Sequence, residues 1–242
     1  MDTMERSERT WTVGHDTMTL ELQPDVFVPT TTSEIMAQAL DIRPGETVID
    51  LGCGSGFLSV IAAMRGAGRV YAVDIMPSAV ELTLRNARRN GVADRIQAFT
   101  GSLFEPLPSV KADLIIDDVS AVAEEAARVT PWYPPSIPSG GPDGAEPTVA
   151  MLCGAPEHLA SGGRLILPVL SLSDERQILD TAQRLFTELR LRAEHLFPIP
   201  KGLQEALERL RQRLAACAIR LVQRGSRQCW QLRVFEARLA HA

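Results

Sequence analysis

The chain has 242 residues, 45% of them hydrophobic, and its 25 basic and 30 acidic side chains leave a net charge of -5. This suits one large domain, or a domain with a small appendage, and gives no bulk attraction to nucleic acid. Cysteines at 53, 153, 217 and 229 form no Cys-x-x-Cys pair, no apolar run nears the roughly 18 residues of a membrane span and no signal-peptide layout opens the chain, so the expectation is a soluble cytoplasmic protein without metal or disulfide framework.

In chain order, residues 1–11 read as loose, and Thr12–Leu22 as a short hairpin with Met18, Leu20 and Leu22 on one face. Residues 1–23 are set apart as an amino-terminal extension, and 24–242 form the main domain. Two prolines bracket Asp25–Val28. The hydroxyl run Thr30–Ser33 either caps the following helix, which carries Ile35, Met36, Ala39 and Leu40, or gates a ligand. Strands are expected at Thr47–Leu51, Arg69–Val73, Ile96–Thr100 and Ala112–Ile116, with helices at Phe57–Arg65 and Pro77–Asn90 between them. Helix-like Ala121–Val129 leads into residues 130–147, rich in Pro and Gly and too long for a routine connection. That stretch reads as a lid or wall, and its Trp132 and Tyr133 either stack on substrate or anchor the loop. Beyond it come a helix at Thr148–Leu159, a strand at Arg164–Leu170 after a Gly162-Gly163 turn, and a helix at Asp174–Leu189. A strand at Leu191–Phe197, a helix at Leu203–Arg213 and a hairpin of Ala218–Gln223 with Gln228–Ala237 complete the chain. From Lys201 onward nine Lys or Arg face three Glu, an excess read as a charged helix face with a solvated hairpin in preference to a nucleic-acid patch.

The sum is an α/β fold with a seven-stranded, mostly parallel sheet and a terminal antiparallel strand. A parallel open sheet binds its ligand beyond the carboxyl ends of its strands. Gly52–Gly56, Asp74, Ser102 and Asp117-Asp118 all fall there. The glycines run Gly-x-Gly-x-Gly (Gly52, Gly54, Gly56) and follow Asp50, whereas a pyrophosphate turn reads Gly-x-Gly-x-x-Gly and would be repelled by that carboxylate. A cationic ligand without phosphate tolerates Asp50, and S-adenosylmethionine carries a sulfonium and an α-ammonium. Asp74 is placed to accept from ribose hydroxyls.

With Asp74 and Asn86–Gly91, Val48–Gly56 resembles the cofactor half of the class I S-adenosylmethionine-dependent methyltransferases, over about residues 24–170. Counting strands from Thr47–Leu51 as the first, the resemblance implies the order 3-2-1-4-5-7-6. It also implies that Gly52–Gly56 meets the methionine part of the cofactor, that Ile75 and Leu103 sandwich the adenine, and that Ser102 stands where relatives hold the adenine amino group with an acid. More narrowly, Val26–Glu34 with Gly140–Gly144 is similar to the glutamine methyltransferases of translation release factors. Those carry Asn-Pro-Pro-Tyr after the fourth strand, to grip a planar amide; here the place reads Asp117-Asp118-Val119-Ser120.

Methyl transfer asks of the protein mainly position and electrostatics. Asp117, Asp118 and Tyr133 are the candidate catalytic set, with Asp117 also near the cofactor. A carboxylate there holds an ammonium or takes its proton. The expected reaction is methyl transfer to nitrogen or oxygen of a small amino-acid-like or biosynthetic molecule. The alternatives are methylation of a protein side chain, glutamine included, and cyclisation of the cofactor's aminocarboxypropyl group with release of methylthioadenosine. Nucleic-acid and membrane partners are not expected.

Overall fold

A computed structural model describes residues 7–131, 133, 135–213 and 219–239. Trp132, Cys217 and Ala218, all singled out above, lie outside the described residues. The elements are β1 (Ser7–Val13), β2 (Asp16–Leu22), α1 (Thr31–Ala39), β3 (Thr47–Leu51), α2 (Phe57–Met64), β4 (Arg69–Asp74), α3 (Pro77–Arg89), β5 (Ile96–Thr100) and β6 (Ala112–Asp117). They continue with α4 (Glu124–Val129), α5 (Glu146–His158), β7 (Leu159–Leu170), α6 (Glu175–Leu185), β8 (Glu188–Pro198), α7 (Lys201–Arg213), β9 (Val222–Arg224) and β10 (Arg227–Arg238).

The main sheet has the order β5-β4-β3-β6-β7-β10-β8, with β9 on β10. Numbered from β3 with the short β9 left out, this is the expected 3-2-1-4-5-7-6, and β9 adds an eighth strand. The pairs β5–β4, β4–β3, β3–β6 and β6–β7 are parallel, and β10 runs antiparallel to β8. The fold is thus α/β, of the class I methyltransferase type.

Several boundaries differ from expectation. Strand β1 takes in Ser7–Trp11, read above as loose, because pairing with β2 satisfies its backbone along the whole length. Strand β7 starts at Leu159, before Gly162-Gly163, since Ala112 already pairs there and the register shifts once before Leu114. Helix α6 stops at Leu185, and Glu188–Leu191 belong to β8. Alternation over those residues is ambiguous, and pairing with β10 decides it.

Contacts divide the chain into two compact units, residues 7–118 with 157–166, and residues 119–156 with 167–239. In the first, β3 and β6 are almost continuously buried, as strands covered on both faces must be, while β4 buries Val70, Ala72 and Val73 and leaves Arg69, Tyr71 and Asp74 partly exposed. Hairpin β1–β2 belongs to this unit: Trp11 meets Phe57 edge-on at 5.8 Å, and Arg65 pairs with Asp16 at 2.7 Å. Thr30 caps α1 with Ser33 in a reciprocal capping box, which accounts for the hydroxyl run as a helix start. His158 stacks on Phe104 at 4.2 Å with Nδ1 3.1 Å from the Val110 carbonyl, a packing role.

In the second unit the stretch after α4 is braced internally. Gly140 N–H donates to the Val122 carbonyl and Glu124 N–H to that of Gly141. The Ser120 and Tyr133 hydroxyls both donate to the Pro138 carbonyl, at 2.6 and 2.7 Å. Gly144 has φ +80°, and a Cβ there would lie 2.5 Å from the Ala123 nitrogen. The basic excess of the C-terminal region is largely paired: Arg209 with Glu205, Arg211 with Glu208, Arg220 and Arg233 with Glu175, and Arg238 with Glu236. Among the described residues no helix is long and apolar enough to cross a membrane.

Candidate active site

Residues Thr47–Leu51 make a central strand because they pair on both sides, with β4 and with β6. The chain then turns sharply. Gly52, Gly54 and Gly56 have φ +80°, +52° and +82°, a region that costs other residues about 1–2 kcal/mol each. The Val73 carbonyl accepts from Gly52 and Cys53 N–H, and Gly56 N–H donates to Cys53 at 2.7 Å. Gly56 then opens α2 with no side-chain cap. The result is bare backbone at a helix start, where a ligand can approach closely.

Asp50 points into the ground beneath this turn and is 0% exposed. Its Oδ2 accepts from Ser59 Oγ at 2.5 Å, and its Oδ1 has no partner. Burial, with Asp74's charge adding to it, pushes its carboxyl up to about 6 despite the Ser59 hydrogen bond. Ser59 escaped sequence reasoning. Its signal was a lone hydroxyl inside the apolar run Phe57–Met64, which burial obliges to find a partner.

Asp74, at the end of β4, accepts from Gly54 N–H through Oδ2 and from Met76 N–H through Oδ1, both at 2.9 Å. Burial still raises its pKa, and each carboxylate oxygen has a further lone pair to offer. Asp117 and Asp118 close β6. Asp117 is fully buried, while Asp118 is half-buried and its N–H donates to the Leu51 carbonyl at 2.9 Å. Burial, then the charges of Asp50, Asp117 and Asp74, push Asp118 well above the usual carboxylate range. Among the described residues, no Lys, Arg or His forms an ion pair with Asp50, Asp74 or Asp118. Cys53 is buried in the same neighbourhood, and its thiol is pushed up by burial and by these carboxylates. Such a set of carboxylates asks for protons or for a cation.

Ile75 follows Asp74 with its side chain 52% exposed, an unusual place for a large apolar group. Leu103 has φ +48°, the one positive value at a non-glycine residue among those described. Strain of this kind gathers at ligand sites. Ser102 is exposed, its N–H bonded to Glu105 Oε2 at 3.1 Å. Asp50, Gly52, Gly54, Gly56, Asp74, Ile75, Ser102, Leu103, Asp117 and Asp118 thus all lie in the first unit, at the carboxyl ends of β3, β4, β5 and β6. Tyr133 lies in the second, where its hydroxyl holds the Pro138 carbonyl and burial raises its pKa.

The donor set fits S-adenosylmethionine. Asp50 offers a buried carboxylate oxygen without a partner, which suits an ammonium, the positive-φ glycines leave bare backbone, and among the described residues no Lys, Arg or His forms an ion pair with Asp50, Asp74 or Asp118.

Comparison with known proteins agrees. Residues 16–129 match the family model described as Ribosomal protein L11 methyltransferase (PrmA). The chain is 36% identical over 168 residues to the ribosomal protein L11 methyltransferase of Bacillus cytotoxicus, covering 66% of this chain and 52% of the relative. It is 34% identical over 151 residues to the release factor glutamine methyltransferase of Cereibacter sphaeroides, covering 60% and 54%. The chain therefore spans about half the length of these curated relatives. The solved ribosomal protein L11 methylase of Lactobacillus delbrueckii subsp. bulgaricus superposes with TM-score 0.53 at 18% identity, over 86% of this chain and 80% of that one, a likeness of fold. The chain is a member of the class I S-adenosylmethionine-dependent methyltransferase superfamily, related to the branch that holds these two groups.

Proposed function

We propose that the chain transfers a methyl group from S-adenosylmethionine to an amine nitrogen of a protein substrate, in a protein of the translation apparatus. The observation that carries the reading is the uncompensated carboxylate set Asp50, Asp74 and Asp118 around a turn of positive-φ glycines. The relatives' names support a protein in place of the small molecule that the sequence suggested, since both act on proteins of translation.

When bound, S-adenosylmethionine supplies a methyl on a positively charged sulfur, open to in-line attack. The backbone of Gly52–Gly56 and the free oxygen of Asp50 hold its amino-acid end. Asp74 accepts from the ribose hydroxyls, Ile75 and Leu103 flank the adenine, and Ser102 hydrogen-bonds its edge. Asp117 borders the cofactor. Asp118 takes the proton that an ammonium must lose before its nitrogen can attack, and its raised pKa suits that task. An amine is favoured over an amide because Asp117-Asp118 stands where amide-gripping relatives carry Asn-Pro-Pro-Tyr. Tyr133, as the anchor of its loop, acts on the shape of that loop.

The test is mass spectrometry of the pure chain with S-adenosylmethionine, alone and with fractionated ribosomal and release-factor proteins. The expected result is S-adenosylhomocysteine only when protein is added, with one or more methyl groups mapped to an amine. Methyl on a glutamine amide would replace the amine by the amide, and methylation of small molecules alone would remove the protein substrate. Methylthioadenosine formed without any acceptor would overturn methyl transfer itself.

A further inference from the structure

Two asparagines one helical turn apart, Asn86 of α3 and Asn90 at its C-cap, treat strand β2 as a sheet partner. Asn86 Oδ1 accepts from Glu21 N–H at 2.7 Å and its Nδ2 donates to the Glu21 carbonyl at 3.0 Å. Asn90 does the same at Thr19, at 3.1 and 2.9 Å. In an antiparallel hairpin alternate residues turn their backbone groups outward, and Thr19 and Glu21, opposite Thr10 and Glu8, are such a pair. Residues two apart on a strand are separated by about 6.6–6.8 Å, and residues four apart on a helix rise by about 6 Å. The spacing Asn-x-x-x-Asn thus lets one helix face imitate a strand edge.

The two asparagines differ in one respect. Asn86 is 0% exposed, and its second amide hydrogen goes to the Ser55 carbonyl, at 2.9 Å, inside the glycine turn. Asn90 spends its further bond on the Asn86 carbonyl, in its own helix. Thr83, one turn earlier on α3, sits 3.1 Å from the Gly54 carbonyl. The N–H groups of Gly52, Cys53, Gly54 and Gly56 are held by Val73, Asp74 and Cys53, whereas the carbonyls of Gly54 and Ser55 are held from α3, by Thr83 and Asn86. Through Asn86 this side of the turn is tied to the hairpin.

We propose that Asn86 is a positioning residue for the cofactor turn, and that it makes hairpin β1–β2 part of the cofactor-binding machinery. This rests on the reading of that turn as the S-adenosylmethionine site. Coupling of this kind is reciprocal, so a ligand that fixes the turn also tightens the hairpin.

Asn86→Ala and Asn90→Ala each remove two bonds to β2, but only the first releases Ser55. The full chain and both variants are titrated with S-adenosylhomocysteine by calorimetry, and their thermal midpoints are measured in parallel. Both variants are expected to melt lower. Asn86→Ala should bind about tenfold more weakly, the scale of one lost buried hydrogen bond, and Asn90→Ala within about twofold of the parent. Equal weakening in the two, or unchanged affinity in Asn86→Ala, overturns the inference while leaving the cofactor reading intact. A parent chain that does not bind S-adenosylhomocysteine overturns the cofactor reading and this inference with it. Hydrogen exchange on the unaltered chain tests the same coupling even where Asn86→Ala does not fold. S-adenosylhomocysteine should slow exchange at residues 16–23 as well as at 52–56, and slowing confined to the turn overturns the inference.

Discussion

The two ends of the central strands treat buried charge in opposite ways. At their amino ends, Glu46 (7% exposed) and Arg164 (2% exposed) form a two-pronged ion pair, Oε1–Nη1 at 2.7 Å and Oε2–Nη2 at 3.0 Å. Arg164 also donates to the Asp41 carbonyl, Arg43 N–H donates to Glu46, and Thr47 N–H to Asp113. Burial alone would raise Glu46, but the hydrogen bonds from Arg164 and Arg43 and their charges hold it below its ordinary value. At the carboxyl ends, Asp50, Asp74 and Asp118 are all raised, and Asp50 keeps an oxygen without a partner. One end closes its electrostatics within the chain. The other leaves them unbalanced within the chain, which on the proposed function is where the ligand completes them.

The first way to break this comparison is at the closed end. Arg164→Leu should cost about 3–5 kcal/mol in urea unfolding, because it strands Glu46, and Glu46→Leu added to it should recover most of the loss. Affinity for S-adenosylhomocysteine should stay at the parent value. A double variant no more stable than the single one would mean that the pair is not the source of stability at this end.

At the open end the sign reverses. A carboxyl raised from 3.8 to about 6 contributes stability that is fully present below about pH 3.8 and is lost as pH rises through about 6. Asp50→Asn should therefore stabilise the ligand-free chain by about 3 kcal/mol at pH 8, and by almost nothing below about pH 4, while S-adenosylhomocysteine binding is lost. Glu46, being lowered, contributes stability present above 4.5 and lost as pH falls through its folded value. Unfolding measured across pH separates the two ends by slope alone, and equal slopes in parent and Asp50→Asn would sink the assignment.

Ser59→Ala sharpens the same point. It removes Asp50's hydrogen bond and should cost about 2 kcal/mol near pH 8, with the titration moving above about 6. The smallest effect is expected for Gly56→Ala. It carries about 1–2 kcal/mol of backbone strain at φ +82°, and its Cβ would sit 3.1 Å from Thr83. Its main readout is weaker S-adenosylhomocysteine binding, and unchanged binding would argue against close approach of ligand to the turn.

The open end was legible in the sequence and the closed end was not. Asp50, Gly52–Gly56 and Asp74 are close in sequence or fall at strand ends that periodicity marks, so their convergence could be read directly. Glu46 and Arg164 are 118 residues apart, and neither belongs to a local pattern. Asn86 was visible as part of a resemblance, but its partners Glu21 and Ser55 were not. Ser59, in a helix that reads as purely apolar, was passed over. Tyr133 attracted attention for its aromatic ring and lies in a loop whose internal bracing, through Pro138, Val122 and Gly141, no local signal announces.

The sequence by itself determined the alternation of strand and helix, the parallel sheet and the place of the glycine turn, because hydrophobic period and glycine placement are local properties of the chain. Only the tertiary structure decided which charges are neutralised and which are left waiting, and that hairpin β1–β2 reaches the turn through Asn86. Those outcomes depend on which distant groups burial brings within hydrogen-bond range, and pairing at that distance leaves no periodic trace in the chain.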